Sequence, residues 1–444
     1  MTTGLGAEER IIASARNTII GGRLMKYRFS KLATVVETDK CILIASHATS
    51  AKIELYEPSL IEEFHTIIVN NGSDCISSEL ECTLFAKNVL ICKEENELAY
   101  LENAIEEVER AFFGLVIIPI EDCNLRCIYC NNKFSSCELT PAHYDLLLKE
   151  VARALNQGKR EIQVTWFGGE ALLMYDRIVS FSKRARQLTL ESEANFSGVI
   201  KTNGVLLDID THTSLCDNGI TTYYITLDGF THDSQRVFTD ATSSFDVMLE
   251  HILCLLESAL EFKLIIVVTV TEKDFDMSFY DLFLPYRDDH RLSFLIKTVG
   301  QCGENSFEPL YINADAEIYH TMHYHKDHLK GLGYTIYGDG VSGILGGGCY
   351  ASYRDSYLIR ANGRIGKCAI ALDEEINDIG YLDLGKGVMV IDWDKQEKWS
   401  YNPLSYDCRN CNNIAVCCNR SCLLKKWSNR DADRCCDAPD TRNL

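Results

Sequence analysis

The sequence lacks several features that would point away from a globular protein. Proline is scarce, with 7 residues in 444, and no repeat or low-complexity tract occurs. No run of about 18 uncharged apolar residues is present, so a membrane-spanning helix is not expected. The segment MTTGLGAEERIIASARNTII (1–20) has no basic start followed by an apolar core, so a secretory signal is not expected either. We therefore expect a cytoplasmic protein of two or three domains.

Positive charge is also in short supply. The chain has 44 Lys and Arg residues against 64 Asp and Glu residues, which gives a formal net charge of −20. A polyphosphate needs Lys and Arg, so nucleic acid is not expected as the main partner. An acidic surface admits a basic peptide or redox partner, although many proteins are acidic without such a partner.

Cysteine, in contrast, is abundant, with 20 residues. The cytosol keeps thiols reduced, so ligation of metals or clusters explains this number better than disulfides. Three cysteines crowd one loop, at Cys123, Cys127 and Cys130, and nine lie from Cys349 to Cys436. The other eight are scattered singly, and for most of them a buried, inert thiol is the default interpretation.

From residue 115 onward, strand-like and helical patterns alternate. Helical patterns include 143–155 and 244–260. The apolar, β-branched runs predict strands at 115–120, 161–167, 198–202, 221–227, 263–270 and 292–299. Strands separated by helices of this length indicate βαβ units and a parallel sheet. Six such units are too few for a closed eight-stranded barrel, so we expect an α/β fold built on an open, partial (β/α)6 barrel.

Short polar motifs follow four of these strands. The cysteine loop follows the first, GGE (168–170) the second, TNG (202–204) the third and LDG (227–229) the fourth. Parallel α/β folds gather their chemistry at the carboxyl ends of the strands, because the loops converge there. The four motifs therefore predict the active face of the barrel.

The spacing C-x3-C-x2-C in the first loop suggests an iron–sulfur cluster with an open position. Three thiolates hold three corners of a [4Fe–4S] cube, whereas clusters with four cysteines are closed and mostly transfer electrons. The alternative is a zinc site with histidine as fourth ligand. The closest histidine in sequence is His143, and a barrel loop is not the usual setting of a zinc knuckle.

This loop, with Tyr129 before the third cysteine, resembles that of the radical S-adenosylmethionine (radical SAM) enzymes. GGEALL, TNGVLL and LDGFTHDSQR match further motifs of that family in order and position, over residues 115 to about 300. The resemblance implies that the open iron chelates S-adenosylmethionine. One-electron reduction then gives a 5′-deoxyadenosyl radical that removes a hydrogen atom from the substrate.

The resemblance also implies roles for individual residues. Tyr129 should pack on the adenine, and the GGE motif should meet the amino group of the methionine moiety. Thr226 and Arg236 lie where the family contacts the sugar and the carboxylate, although the spacing between them is short. Ala171 stands where the family usually has proline. The expected cofactor contacts are Tyr129, Gly168, Gly169, Glu170, Thr202, Asn203, Thr226 and Arg236.

The C-terminal cysteines resemble the SPASM extension of the same enzymes, which holds two auxiliary [4Fe–4S] clusters. The resemblance implies that the first cluster takes Cys349, Cys368 and Cys422, and the second Cys408, Cys411, Cys417 and Cys435. Cys418 competes with Cys417, and Cys436 with Cys435, as ligands. Zinc ribbons would explain the C-x2-C pair but not the number of cysteines. Only three ligands can be named for the first auxiliary cluster, so another group fills the fourth position or its iron is open to a substrate thiolate.

The N-terminal region resembles the small winged-helix-like α+β domains that bind peptides in enzymes maturing ribosomal peptides. Strands are expected in 26–37 and 41–47, a helix in 58–72, and a hairpin in NVLICKEENE (88–97). In this interpretation a leader peptide adds a strand to an exposed sheet edge. The alternative is a domain that only covers the barrel. Further on, His320, His323, His325 and His328 predict a solvated helix rather than a metal site.

The leading hypothesis is an enzyme that removes a hydrogen atom from a ribosomally made peptide and installs a thioether or carbon–carbon cross-link. A flavodoxin- or ferredoxin-type donor would supply electrons. The alternatives are an enzyme resembling the anaerobic sulfatase-maturating enzymes, which form formylglycine, and a non-catalytic iron–sulfur electron carrier. The expected domains are a peptide-binding domain (1–110), a barrel (111–305), a helical linker (306–345) and a cluster domain (346–444).

Overall fold

The structure is a computed structural model. It describes residues 19–20, 23–24, 26–37, 41–46, 48–49, 51–70, 72, 75–130, 134–238, 242–271, 275–298, 316–338, 349–400 and 414. The chain divides into two compact units. The first comprises residues 1–108, 340–352 and 401–444, and the second comprises 109–339 and 353–400. In the part of the chain that the structure describes, no helix has both the length and the apolar character needed to cross a membrane.

The described residues of the first unit form short antiparallel sheets and three helices. Its strands are β1 (Ile19–Ile20), β2 (Arg23–Leu24), β3 (Tyr27–Phe29), β4 (Ala33–Glu37), β5 (Ile42–Ser46), β6 (Ala51–Leu55) and β7 (Leu90–Cys92). Its helices are α1 (Pro58–Val69), α2 (Glu79–Ala86) and α3 (Glu97–Ala111, which ends in the second unit), and a 3-10 turn spans Tyr350–Ser352. Strands β4, β5 and β6 form one antiparallel sheet in that order. Ile42, Ile44 and Phe64 are central to its core.

The predicted hairpin at 88–97 is wrong. Strand β7 pairs antiparallel with β3, far away in sequence, and α3 begins at Glu97. Glu97 is buried and accepts hydrogen bonds from Arg28 Nη1 at 2.6 Å, from the Ser30 hydroxyl and from the Lys31 amide at 3.1 Å. These bonds fix the start of the helix against the turn after β3, so the chain cannot return as a second strand.

The second unit is built on one large sheet. Its strands are β8 (Phe112–Ile117), β9 (Leu125–Cys127), β10 (Glu161–Trp166), β11 (Asn195–Thr202), β12 (Ile220–Thr226), β13 (Arg236–Phe238), β14 (Lys263–Val270), β15 (Leu292–Thr298), β16 (Ser356–Ile359), β17 (Arg364–Gly366), β18 (Gly380–Asp383) and β19 (Val388–Ile391). The order in the sheet is β15-β14-β12-β11-β10-β8-β16-β17-β18-β19. The first seven strands of this order are parallel to one another, and the last three pair antiparallel.

Six of the parallel strands lie where the apolar runs predict them, and helices follow most of them. The helices are α4 (Pro141–Asn156), α5 (Tyr175–Glu191), α6 (Ile209–Asp217), α7 (His232–Gln235), α8 (Phe245–Glu257), α9 (Ala316–Leu332) and α10 (Trp393–Trp399). Turns of 3-10 helix span Ala171–Met174, Met277–Tyr286 and Glu375–Asn377. The α/β fold with a large, mostly parallel sheet is thus confirmed and is consistent with a (β/α) barrel. The predicted domain borders stay predictions.

One face of this sheet is covered by helices and the other is more open. On β12, Tyr223 is buried and its ring lies 5.2 Å from that of His212 in α6, whereas Tyr224 points to the opposite face and is half-buried. On β15, Leu292, Phe294 and Ile296 are buried, but Lys297 is exposed. We call the side that carries Tyr224 and Lys297 the inner face.

The helix of four histidines, α9, is not uniformly solvated. His320 and His323 are exposed, as predicted, but His325 is completely buried and His328 is half-buried. The His325 ring lies 4.5 Å from Phe275, and its Nδ1 lies 2.7 Å from the Tyr280 hydroxyl. Burial lowers the pKa of His325 to about 4, so the ring is neutral in the folded protein at neutral pH.

Replacing His325 with alanine should lower the free energy of unfolding by about 2 kcal/mol, because a buried ring and its hydrogen bond are lost. His323→Ala removes an exposed ring of the same helix and should change the free energy of unfolding by less than about 0.5 kcal/mol. Melting curves followed by circular dichroism under anaerobic conditions would measure both, at about 2 to 4 °C per kcal/mol.

The same pair also tests the pH dependence. The unfolded chain takes up a proton on His325 near pH 6.5, whereas the folded chain does so only near pH 4. Stability therefore falls as the pH drops through this window, and the His325→Ala variant lacks this contribution. The difference in melting temperature between wild type and variant should narrow from about pH 7.5 to about pH 5.5. A constant difference would show that His325 does not become neutral on folding.

Candidate functional site

The three-cysteine loop is held in place by its backbone. It follows β8, and its middle part, β9, pairs antiparallel with β13, with Cys127 opposite Arg236. The Ile128 amide donates to the Gln235 carbonyl at 2.8 Å, and the Cys130 amide to the Cys127 carbonyl at 3.1 Å. The loop is therefore fastened to the segment that follows the fourth parallel strand, β12.

The three thiols share one half-buried environment. Burial raises the pKa of Cys123 to about 11, and negative charge on Glu170, Cys127 and Cys130 raises it further, while the Leu125 amide donates to its sulfur at 3.4 Å and opposes the shift. Burial also raises the pKa of Cys127, which nearby Arg236 opposes. Cys123 and Cys127 therefore keep their protons unless a metal replaces them.

Three neighbouring thiols on one loop match the ligand set of a [4Fe–4S] cluster with one open iron. In the described part of the chain, no three side chains of His, Cys, Asp or Glu are grouped tightly enough to hold one metal ion. A [4Fe–4S] cube takes one thiolate at each corner, so its ligands stand further apart than those of a single ion. Charge on Cys127 and Cys130 acts on Cys123, so the three thiols of this loop are neighbours, as the ligands of one [4Fe–4S] cluster must be.

Two glycines bring the loop after β10 into contact with the cysteine loop. Gly168 has a φ of +134°, and a Cβ there would lie 2.9 Å from the Ile120 carbonyl oxygen. A Cβ on Gly169 would lie only 2.0 Å from the Asp122 carbonyl oxygen, which is impossible without movement. The Glu170 amide donates to the same Asp122 oxygen at 2.9 Å. Only glycine permits this approach of two backbones.

Glu170 connects the loops after β10 and β11. Its carboxylate is completely buried and accepts from the Leu172 amide at 2.9 Å, the Thr202 hydroxyl at 2.8 Å and the Asn203 amide at 2.7 Å. Burial raises the pKa of Glu170, and these donors oppose the rise. The carboxylate thus bonds groups of the protein itself. Its expected contact with the amino group of a cofactor stays a prediction.

Asn203 connects the third motif to the cysteine loop. Its side-chain nitrogen donates to Asn124 Oδ1 at 2.7 Å and lies 3.8 Å from the Cys123 sulfur. The Thr202 hydroxyl accepts from the Gly204 amide at 3.0 Å while donating to Glu170. The three motifs at the ends of β8, β10 and β11 therefore form one connected hydrogen-bond network, as their positions predict.

A second network lies beneath Tyr129. The Tyr129 hydroxyl donates to Asp228, which is 1% exposed, and accepts from Arg236 Nη1 at 2.8 Å. The other Asp228 oxygen accepts from the Thr269 amide at 2.7 Å. Burial raises the pKa of Asp228, and Arg236 opposes this shift. The network fixes Tyr129, and with it the segment between Cys127 and Cys130.

Two atoms beside this network have unused hydrogen-bonding capacity. Arg236 Nε and Thr269 Oγ1 are buried and have no partner. Buried polar groups are normally paired, so these two are available to a bound molecule. They fit a group that carries a carboxylate or hydroxyls, as S-adenosylmethionine does. Thr226, the other expected contact in this region, is half-buried at the end of β12.

Asp228, Thr269 and His232 belong to this region of the structure, but no role is predicted for them from the sequence. Asp228 is the charged residue of the LDG motif, so its position after a strand was a usable signal. The Asp228 amide donates to His232 Nδ1 at 3.2 Å, and His232 Nε2 lies 3.2 Å from the Ser244 hydroxyl. Thr269 is an ordinary strand residue and belongs to no motif.

The C-terminal ligands are described only in part. In the first unit, Cys349 is half-buried before the turn Tyr350–Ser352. In the second unit, Cys368 is buried after β17, and Asn377 accepts from its amide and donates to its carbonyl, both at 2.8 Å. The remaining candidates lie outside the described residues: Cys408, Cys411, Cys417, Cys418, Cys422, Cys435 and Cys436. Both auxiliary clusters stay predictions.

Comparison with known proteins identifies the central part of the chain. Residues 117–282 match the model of the Radical SAM superfamily. This region is therefore a radical SAM domain, which implies a [4Fe–4S] cluster and S-adenosylmethionine. The curated relative GTP 3',8-cyclase of Thermodesulfovibrio yellowstonii is 33% identical over 129 residues, which are 28% of this chain. The match spans only 38% of the length of that relative.

Solved structures share the fold. The structure of native anSMEcpe with bound AdoMet and Kp18Cys peptide is 18% identical, with a TM-score of 0.53, and the match covers 68% of this chain and 87% of that one. Streptococcus suis SuiB is 16% identical, with a TM-score of 0.47, over 93% of this chain and 97% of that one. At 18% identity, the likeness to anSMEcpe shows a common fold.

Gly169→Ala should displace the cysteine loop, because its new methyl group would overlap the Asp122 carbonyl. We expect a severalfold loss of iron and acid-labile sulfide per chain after anaerobic reconstitution. Gly331→Ala is the matched control: it lies in helix α9, and its Cβ would meet nothing within 4 Å. Equal iron content in the two variants would contradict the packing argument.

Proposed function

We propose that the protein is a radical SAM maturase that removes a hydrogen atom from a ribosomally made peptide and installs a thioether or carbon–carbon cross-link. The observation that carries the proposal is the grouping of Cys123, Cys127 and Cys130 at the carboxyl edge of a parallel sheet. The loops that carry the GGE, TNG and LDG motifs all form hydrogen bonds with the loop that carries these cysteines. Radical SAM enzymes use such a site to generate a reactive species beside the substrate.

In this proposal, the protein holds and orients while the cofactor supplies the chemistry. Three thiolates hold the cluster, and the side-chain amide of Asn203 fixes the positions of Asn124 and Cys123. Bound cluster and S-adenosylmethionine supply the one-electron chemistry that removes a hydrogen atom from the substrate. Arg236 Nε and Thr269 Oγ1 provide free hydrogen-bonding capacity for the cofactor or the substrate.

A peptide substrate is supported by two observations. The structure of anSMEcpe, which shares the fold, contains a bound peptide together with AdoMet. In the first unit, the order β4-β5-β6 leaves β4 and β6 as edge strands within the described residues. Such an edge can receive a leader peptide as an additional strand, whose main-chain hydrogen bonds provide affinity.

The formylglycine-forming reaction is the second candidate. It is favoured by the likeness to anSMEcpe, which has a TM-score above 0.5. Cys349, Cys368 and the C-terminal cysteines would hold auxiliary clusters in either case, and a flavodoxin- or ferredoxin-type protein would supply the electrons. The two candidates differ in the product. Cross-linking removes two hydrogen atoms from the peptide, whereas formylglycine formation converts a Cys or Ser side chain into an aldehyde.

Anaerobic protein supplied with dithionite and S-adenosylmethionine should form 5′-deoxyadenosine. Cys123→Ala, Cys127→Ala and Cys130→Ala should each abolish this product, because a cluster that has lost one of three protein ligands is not retained. Cys254→Ala, which changes an exposed cysteine on helix α8, should leave it unchanged. Chromatography with mass detection measures the product. Wild-type protein that carries the cluster and forms no 5′-deoxyadenosine would support the electron-carrier alternative.

A further inference from the structure

The inner face of the sheet carries two lysines in a chain that is strongly acidic overall. Lys201 pairs in register with Tyr224 on β12, and Lys297 pairs with Thr269 on β14. Tyr224 pairs with Ile265 on β14. Thr269 follows Ile265 by four residues on the same strand, so the two side chains lie on the same face of the sheet. Both ammonium groups therefore point to the side of the sheet opposite helix α6.

The surroundings of the two lysines differ. The Lys201 ammonium lies over the rings of Phe167, at 5.6 Å, and Tyr224, at 5.3 Å, so aromatic faces stabilise its charge. Lys297 has no such ring and forms no hydrogen bond or ion pair with any described residue. Its side chain is exposed to solvent, although neighbouring protein atoms remove part of its hydration.

The charges close to Lys297 do not neutralise it. Asp228 is the nearest acidic group, but its two oxygens already accept from Tyr129 and from the Thr269 amide. Arg236, beside Asp228, adds a further positive charge. Burial among the strands lowers the pKa of Lys297, and Arg236 lowers it further, while Asp228 raises it. Among the residues that the structure describes, none uses the three donors of this ammonium.

Thr269 adds a second donor to the same place. It is 3% exposed, its hydroxyl oxygen has no hydrogen-bond partner, and it is the register partner of Lys297 on the neighbouring strand. Register partners on parallel strands lie about 5 Å apart. This is the spacing of the two backbones, and the Lys297 and Thr269 side chains leave the same face of the sheet, so both can reach the oxygens of one carboxylate.

We propose that Lys297 and Thr269 bind a carboxylate of the substrate, so that the peptide segment entering the barrel presents an acidic side chain to the end of β15. This inference rests on the proposed function and specifies its substrate class. Lys201 lies on β11, which is separated from β15 by two strands. It makes no direct contact with the carboxylate and contributes positive potential along the inner face, where the peptide enters. The contact of the carboxylate with Lys297 and Thr269 orients the peptide relative to the cysteine loop.

A carboxylate at this site has one other source, the methionine moiety of S-adenosylmethionine. The two sources are distinguished with cluster-loaded protein saturated with S-adenosylmethionine under anaerobic conditions. Two capped five-residue peptides serve as probes, one with a central glutamate flanked by alanines and one with glutamine in its place. Titration calorimetry gives the affinity of each peptide.

We expect the glutamate peptide to bind on the order of tenfold more tightly than the glutamine peptide. Lys297→Met should abolish this preference, and Lys297→Arg should retain most of it, because the charge is kept. Lys263→Met is the matched control, since Lys263 is an exposed lysine at the other end of β14. It should leave both affinities unchanged. Equal binding of the two peptides to wild-type protein would overturn the proposal.

The second measurement is the affinity of each variant for S-adenosylmethionine in the absence of peptide. If Lys297→Met weakens it severalfold and leaves the preference for glutamate intact, the carboxylate belongs to the cofactor and the substrate assignment is wrong. Iron content and formation of 5′-deoxyadenosine without peptide are recorded for every variant. Failure of the wild-type protein to form 5′-deoxyadenosine would refute the proposed function, whereas loss of the glutamate preference alone would refute only this inference.

Discussion

The close approach of Gly169 to the carbonyl of Asp122 is the constraint on which the site depends. It places the loop after β10 directly on the backbone of the cysteine loop, and the amide of Glu170 then bonds that same carbonyl. The buried Glu170 carboxylate extends the connection to the end of β11 and the loop after it through two hydrogen bonds, from the Thr202 hydroxyl and the Asn203 amide. A cluster loop would otherwise be a flexible surface segment, because loops seldom have a core of their own. Here backbone contact and buried charge give it a defined shape.

The electrostatics of the site follow from the same packing. Burial disfavours ionised thiols and carboxylates, so Cys123, Glu170 and Asp228 all have raised pKa values. Arg236 is the compensating cation, since it lies beside Tyr129, Asp228 and Cys127.

The sequence was sufficient for the parallel strands and for the edge where the motifs gather. β-branched runs of five to eight residues leave few alternatives, and polar motifs at strand ends converge in any parallel sheet. The errors arose where distant residues decide the structure. Glu97 starts a helix because it pairs with Arg28, 69 residues away, and His325 is buried because Phe275 and Tyr280 pack on it. Thr269 and Lys297 belong to no motif, and only the register of β14 and β15 brings them together.

Strand β16 has a consequence for how this protein can be divided. It hydrogen-bonds to β8, so residues 356–359 complete the sheet beside the strand that leads into the cysteine loop. A polypeptide ending after the sixth parallel strand would leave β8 with a free row of amide and carbonyl groups next to apolar side chains. Such an edge recruits other chains and promotes aggregation. The parallel sheet that carries the cysteine loop and the segment at 353–400 are thus expected to fold together, as one unit.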